Sequence, residues 1–258
     1  MTLTLAMDPS LSQTVAAITV ESLYFSYPQG GEILSGLTFV VQSEEKVGVI
    51  GPNGAGKTTC FLAICGLLKP TSGHIYVFGD PVIPGRIRSE VGLVFQNPND
   101  QLFSNSVWED VAFGPENIGL LPEVIQERVQ EALRLTGTEH LAERAPHHLS
   151  GGQKRMVAIA GVLAMQPQIM IYDEPSANLD IRSRRRLIQF LQESKQTLLI
   201  ASHDLEFILE VCNKVILIDN GNVVAQGSCQ EVMGNEDLMQ SHALEKPYSL
   251  SHSHGSNP

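Results

Sequence analysis

The sequence predicts an α/β fold: a parallel sheet between helices, with an antiparallel N-terminal β-subdomain ahead of it and a helical insertion within it. Two observations carry the sheet. Short apolar runs at 169–172, 198–201 and 215–218 alternate with helical patterns at 182–193 and 205–212. Apolar runs of this length, without a polar face, are how strands buried on both sides read. A third observation carries the insertion. Residues 106–136 are helical in pattern, with breakers at Gly114-Pro115 and Leu121-Pro122, and they interrupt the alternation over about 97–160.

The elements follow in order. Residues 1–17 are polar and aperiodic and read as a flexible extension, within which Met7 is an alternative start. Residues 18–27 alternate as a strand, and Pro28-Gln29-Gly30-Gly31 turns the chain. Residues 37–42 and 46–50 are further strands. A glycine-rich loop at 51–56 opens a helix over 57–68, which the breakers at 69–73 end. Strands are expected at 73–78 and 91–95, and a helix with an apolar face at 151–165. Asp219-Asn220-Gly221-Asn222 is a hairpin signal. Ser228 with Glu231 fits a capping box on a short last helix. From Ser241 the chain turns polar, so 241–258 reads as a flexible tail, and 18–240 as the folded domain. His242, His252 and His254 fall in that tail, as a weak Ni²⁺ or Co²⁺ site or as a solvated end.

Composition narrows the function. Seventeen Lys and Arg against 28 Asp and Glu leave a net charge of −11. That balance argues against a broad nucleic-acid footprint and against adhesion to anionic lipid. The longest near-apolar stretch, 157–165, is nine residues, against about 20 for a membrane span. The start MTLTLAMDPS lacks the features of a signal peptide. Cys60, Cys65, Cys212 and Cys229 form no CxxC pair and read as small buried hydrophobes in a reducing compartment.

Gly51-Pro52-Asn53-Gly54-Ala55-Gly56-Lys57-Thr58 fits GxxxxGK[ST], between an apolar strand and a helix. Glycines let backbone N–H groups approach phosphates, and the helix N-terminus adds a positive dipole end. The expected nucleotide contacts are Gly51, Asn53, Gly54, Ala55, Gly56, Lys57, Thr58 and Thr59, with Lys57 on the β- and γ-phosphates and the Thr58 hydroxyl on Mg²⁺. Residues 169–172 are apolar and deliver Asp173 and Glu174 to the C-terminal end of a strand, where ligands of open α/β sheets sit. Asp173 is the expected second holder of Mg²⁺, and Glu174 the expected general base.

Leu149-Ser150-Gly151-Gly152-Gln153 resembles the signature of the ATP-binding-cassette (ABC) ATPases, which have a P-loop NTPase core. The resemblance covers about residues 18–235. It implies a head-to-tail dimer, homodimeric or with a second ABC ATPase, in which Ser150, Gly152 and Gln153 of one subunit close on ATP held by the other. It also implies that Tyr27 stacks on adenine and that Gln96 senses Mg²⁺ and the attacking water. Residues 176–180 would then form the interface loop, and His203 would contact the γ-phosphate.

Residues 95–103, 110–115 and 153–161 look like those of energy-coupling-factor importer ATPases, of cobalt, nickel or vitamin systems. Ile181 and Met156 depart from that pattern without removing a group from the ATP site. This resemblance implies an integral membrane transport subunit as partner and a place on the cytoplasmic face of the cell membrane. The segment 97–103 would then be the docking region, with Phe103 and Trp108 as apolar contacts or core residues. Two alternatives remain at this stage: a nucleic-acid-associated ABC ATPase, which the basic run 182–186 would suit, and a nucleotide-binding module without turnover.

Overall fold

The computed structural model describes residues 16–28 and 30–251. Strands β1 (Ala16–Ser26), β2 (Glu32–Gln42), β4 (Ser72–Val77) and β5 (Asp80–Pro81) form a four-stranded antiparallel sheet in the order β2-β1-β4-β5. Strands β3 (Lys46–Ile50), β6 (Val91–Val94), β7 (Ile169–Asp173), β8 (Thr197–Ala201), β9 (Lys214–Asp219) and β10 (Asn222–Ser228) form the second sheet, in the order β10-β9-β3-β8-β7-β6. All its pairings are parallel except β9 with β10.

The apolar runs are explained by two cores, one on each face of this sheet. Every residue of β7 and β8 is buried. Because side chains alternate across a strand, Met170, Tyr172, Leu198 and Ile200 join one core while Ile169, Ile171, Leu199 and Ala201 join the other. The first core is closed by helices α4 (Gly151–Leu163), α5 (Ile181–Glu193), α6 (Leu205–Val211) and others through Ile159, Leu187 and Phe207. The second is closed by helix α1 (Lys57–Ile64), through Phe61 and Ile64, and by the antiparallel sheet, through Val20, Leu23 and Phe39.

The helical region holds α2 (Val107–Asn117) and α3 (Pro122–Thr136), both packed on α4. The break expected at Gly114-Pro115 is absent. Pro115 is buried near the end of α2, where only one backbone bond is lost, and packing of Val107, Val111 and Ala112 carries the helix past it. The break expected at Leu121-Pro122 is present: Gly119 is left-handed after α2, Leu121 is extended, and Pro122 opens α3 from its first position. Helix α1 is shorter than expected: it stops at Ile64, with Gly66 in the left-handed region.

The ends differ from a plain extension and tail. Ala16 and Ala17 already belong to β1, and residues 1–15 lie outside the described residues. After α7 (Cys229–Met233) and α8 (Glu236–Ser241), residues 241–251 fold back and end in α9 (Tyr248–Ser251). His242 Nδ1 bonds Asp219 Oδ2 at 2.8 Å, Pro247 is buried, and Ser249 Oγ donates to Glu206 Oε2 at 2.6 Å. His242 is thus occupied by a carboxylate, while His252 and His254 lie outside the described residues. The four cysteines are free; Cys65 is half-buried and the other three are buried, with Cys60 and Cys65 both pushed up to about 12 by burial.

Candidate functional site: a phosphate loop facing two carboxylates

Strand order builds the site. β8 lies between β3 and β7, so three loops leave neighbouring C-terminal strand ends on one edge. They carry residues 51–56, His203 and the Asp173–Glu174 pair. The register aligns them: Val49 pairs with Ala201, and Ala201 with Asp173.

The loop after β3 needs its glycines. Gly51 has φ +148°, and a Cβ there would run into the Ile218 carbonyl; Gly56 has φ +101°, and a Cβ would lie 2.7 Å from Leu34 Cδ2. Helix α1 starts at Gly56 with no side-chain cap and no acidic residue in its first turn, so its first N–H groups are left for an anion. Lys57 is buried, and its Nζ donates to Gly51 O at 2.7 Å and Pro52 O at 3.0 Å. Burial pulls its pKa below the ordinary lysine value, opposed by the charges of Glu174 and Asp173.

Thr58 Oγ1 donates to Asp173 Oδ2 at 2.7 Å, across 115 residues of sequence. Burial raises the Asp173 pKa, opposed by this hydrogen bond and by Lys57. Glu174 continues β7 by donating its N–H to Ala201 O at 2.9 Å, and its φ of +48° is a left-handed conformation that costs a non-glycine residue about 1 kcal/mol. The His203 N–H donates to Glu174 Oε2 at 3.1 Å. Glu174 Oε1 lies 3.2 Å from His203 Nε2, yet it is buried and makes no hydrogen bond. Burial raises the Glu174 pKa, opposed first by the His203 backbone bond and then by the charges of His203 and Lys57.

These groups line one cavity of about 230 Å³, together with Tyr27, Asn53, Gly54, Ala55 and Thr59. Gly51 supports the loop from behind through its carbonyl. Tyr27 is exposed at the rim, edge-on to Phe25 at 4.8 Å. Ile33 also faces this cavity, an apolar wall that no motif marks. Thr58 and Asp173 present hard oxygen donors, the set that suits Mg²⁺. No cluster of three or more His, Cys, Asp or Glu that could form an all-protein cage exists among the described residues.

Besides Gly51, four expected residues do not line this cavity. Gln96 is exposed, and its carbonyl accepts from Arg155 at 2.6 Å. Arg155 falls within the matched segment 153–161 without a role assigned to it there: it is 3% exposed in α4 and also donates to Phe95 O at 2.7 Å, so it ties that helix to the Gln96 turn. Ser150 and Gln153 form a reciprocal capping box at the start of α4. Gly152 is buried, and a Cβ there would run into the Ser183 hydroxyl on α5. Ser150 and Gly151 are exposed, so this second helix N-terminus opens outward rather than toward the cavity of its own chain.

A phosphate loop, a Thr–Asp pair and a buried carboxylate on adjacent strand ends define a P-loop nucleotide hydrolase. The profile of the ABC transporter family matches residues 34–177. The chain therefore belongs to the ABC transporter family, as the ATP-hydrolysing subunit of a transporter. It is 56% identical over 234 residues to an ABC transporter ATP-binding protein of Synechocystis sp., covering 91% of this chain and 82% of the relative. It is 44% identical to the energy-coupling factor transporter ATP-binding protein EcfA of Methanothermobacter thermautotrophicus, covering 89% and 76%. Among solved structures, cbiO1 of Clostridium perfringens, part of the ABC transporter complex cbiONQ, is 38% identical, with a TM-score of 0.78 and coverage of 88% and 94%.

Proposed function

We propose that this chain powers an importer of the energy-coupling-factor type, hydrolysing Mg²⁺-bound ATP at the cytoplasmic face of a membrane. The observation that carries the site is the meeting of Lys57, Thr58, Asp173, Glu174 and His203 in one cavity. Tyr27 and Ile33 receive the adenine. The N–H groups of the loop and Lys57 hold the β- and γ-phosphates. Thr58 and Asp173 hold Mg²⁺, which when bound neutralises phosphate charge. Glu174 Oε1 takes a proton from the attacking water, and His203 orients the γ-phosphate. Gln96, on the turn held by Arg155, is the residue that would sense the metal and the attacking water in this reading.

The outward N-terminus of α4 supports a head-to-tail dimer, with Ser150, Gly152 and Gln153 closing on ATP held by a second ABC ATPase, of the same or a sister chain. An apolar groove of about 240 Å³ beside the helical region supports a membrane subunit as partner. Leu93, Leu102, Phe103, Phe113, Val162 and Met165 line it, and Phe103 and Phe113 are exposed. Trp108 instead packs against the core and lines a separate cavity. No helix among the described residues is long and apolar enough to cross a membrane, so in this reading the partner supplies the channel. The relatives named for energy-coupling factors support the importer type; cobalt or nickel ions or a vitamin are the cargo expected of that type.

Phosphate release by the full chain, with and without Mg²⁺, tests the site; loss of ATP-dependent release with every divalent ion tried overturns it. Isolation of the chain from membranes, with identification of co-purifying subunits, tests the importer reading. Recovery of companions none of which has a membrane span overturns that reading.

A further inference from the structure

Arg184, in the first turns of α5, stands between the interface loop and the turn that carries His203. Its Nε donates to Asp204 Oδ2 at 2.7 Å and one terminal nitrogen donates to Asp204 Oδ1 at 3.2 Å, a two-point grip on the residue after His203. Its other terminal nitrogen donates to Glu210 Oε1 at 3.0 Å, and the guanidinium lies 5.7 Å from the centre of the Phe207 ring. Arg185 holds the second Glu210 oxygen at 2.7 Å, so Glu210 is fixed independently.

The grip is made on a residue that is already committed. Asp204 caps α6, accepting from Phe207 N at 2.9 Å, and its own N–H donates to Ser202 Oγ at 3.1 Å. Ser202 is 1% exposed, and its hydroxyl also meets Ser176 Oγ at 3.2 Å. His203 is therefore held from both sides, by buried Ser202 and by gripped Asp204. Arg184 also begins in the interface loop's own hydrogen bonding, because its N–H donates to Asp180 O at 2.9 Å and Asp180 caps α5. Exposed ion pairs contribute little on their own. This one is two-pointed, covered by an aromatic ring and joined to a helix cap, which makes it a geometric constraint.

We infer that Arg184 is a positioning residue for hydrolysis: by gripping Asp204 it keeps His203 against Glu174 and joins that contact to the interface loop at 176–180. The inference rests on the reading of Glu174 and His203 as the γ-phosphate end of the site. Arg184 itself touches no nucleotide. A lysine would supply donors from a single nitrogen in place of the planar fork, so it would restore charge without restoring the two-point geometry.

The test uses the full chain with Arg184→Gln, Arg184→Lys, His203→Ala and the double variant Arg184→Gln/His203→Ala. Turnover is normalised to the nucleotide-binding sites titrated in each preparation, so partly unfolded protein does not count. Arg184→Gln is expected to lower kcat about tenfold with KM for ATP within about twofold, and Arg184→Lys to recover part of that loss. In the His203→Ala background the Arg184→Gln change is expected to add no more than about twofold, because its target is gone. An unchanged kcat for Arg184→Gln, or a full further loss in the double variant, overturns the inference. Unchanged turnover in His203→Ala alone overturns the reading of the site instead, and Arg184 with it.

Discussion

His203 contacts Glu174 twice: its backbone N–H donates to one carboxylate oxygen at 3.1 Å, and its ring Nε2 lies 3.2 Å from the other. The first contact orients the carboxylate without using the ring. The second oxygen stays without a hydrogen bond inside a buried cavity. An unsatisfied buried acceptor is unfavourable, and a proton donor entering the cavity would relieve that cost.

Glu174→Gln keeps the shape of this contact and removes the base. Phosphate release should fall by about a hundredfold or more. ATP binding should persist, and size-exclusion chromatography with ATP should show a trapped dimer. Unchanged turnover would remove Glu174 from the role of base.

Lys57→Ala deletes the ammonium that Gly51 O and Pro52 O share. Calorimetry should show Mg-ATP affinity falling by about a hundredfold, the loss expected of a buried charge-assisted phosphate contact. Retained micromolar affinity would contradict the phosphate-loop assignment.

The raised pKa values of Asp173 and Glu174 set a pH dependence. For an acid whose folded pKa lies above its unfolded value, the stabilising contribution is complete below the unfolded value and is lost as pH rises through the folded one. The window opens at the ordinary values of 3.8 and 4.5 and extends upward to the raised ones. At pH 7.5 both carboxylates therefore oppose folding. Asp173→Asn should raise the melting temperature of nucleotide-free protein at pH 7.5, by the equivalent of about 1 kcal/mol, while abolishing turnover. The difference from wild type should shrink as pH falls toward 4.5. A lower melting temperature for Asp173→Asn at pH 7.5 would refute this balance.

Gly152→Ala places a methyl group against the Ser183 hydroxyl. Helices α4 and α5 must part, at about 1–3 kcal/mol. The loss should appear in a denaturant melt and be partly recovered by Ser183→Gly. If Gly152→Ala melts as the parent does, the close approach of the two helices is not tight.

Phe103→Asp puts a charge beside Phe113, whose ring it meets edge-on at 4.8 Å. Both rings are exposed, so the fold should be kept and ATP affinity should not change. Recovery of a membrane subunit on an affinity resin should drop at least fivefold; equal recovery would move the docking site elsewhere.

Much of the core was legible because β7, β8 and β9 are built on unbroken apolar runs at 169–172, 198–201 and 215–218, and Asn220 and Gly221, with φ of +47° and +73°, turn as that pair of residues predicts. The Ser228–Glu231 capping box was equally local. Pro115 misled, because packing of α2 overrides a helix breaker near a helix end. Strand β5 is only two residues long and has no pattern to read. Within the site, Asp173 and Thr58 were legible from their motifs. Ile33 and Arg155 were not, since an apolar residue in a strand and a cation in an apolar helix acquire meaning only from what they face. The segment 241–251 is polar enough to read as a tail, yet Leu244, Pro247 and Leu250 anchor it. The basic run 182–186 looked like a candidate nucleic-acid contact, but Arg184 and Arg185 spend their charge on Asp204 and Glu210.

The hairpin at Asn220-Gly221 has a consequence for the order in which the protein can be made. Gly221 N–H donates to Ala55 O, Gly221 O accepts from Ser35 N, and β3 lies between β8 and β9, which come some 150 residues later in the chain. The phosphate loop is thus made well before the segments that complete it. Until β8 and then β9 have been made, β3 lacks its two neighbours, and until residue 221 follows them the loop lacks its support. Nucleotide capture then requires the chain to have been made through β9, and a ribosome-bound fragment stopped before residue 214 should fail to retain ATP.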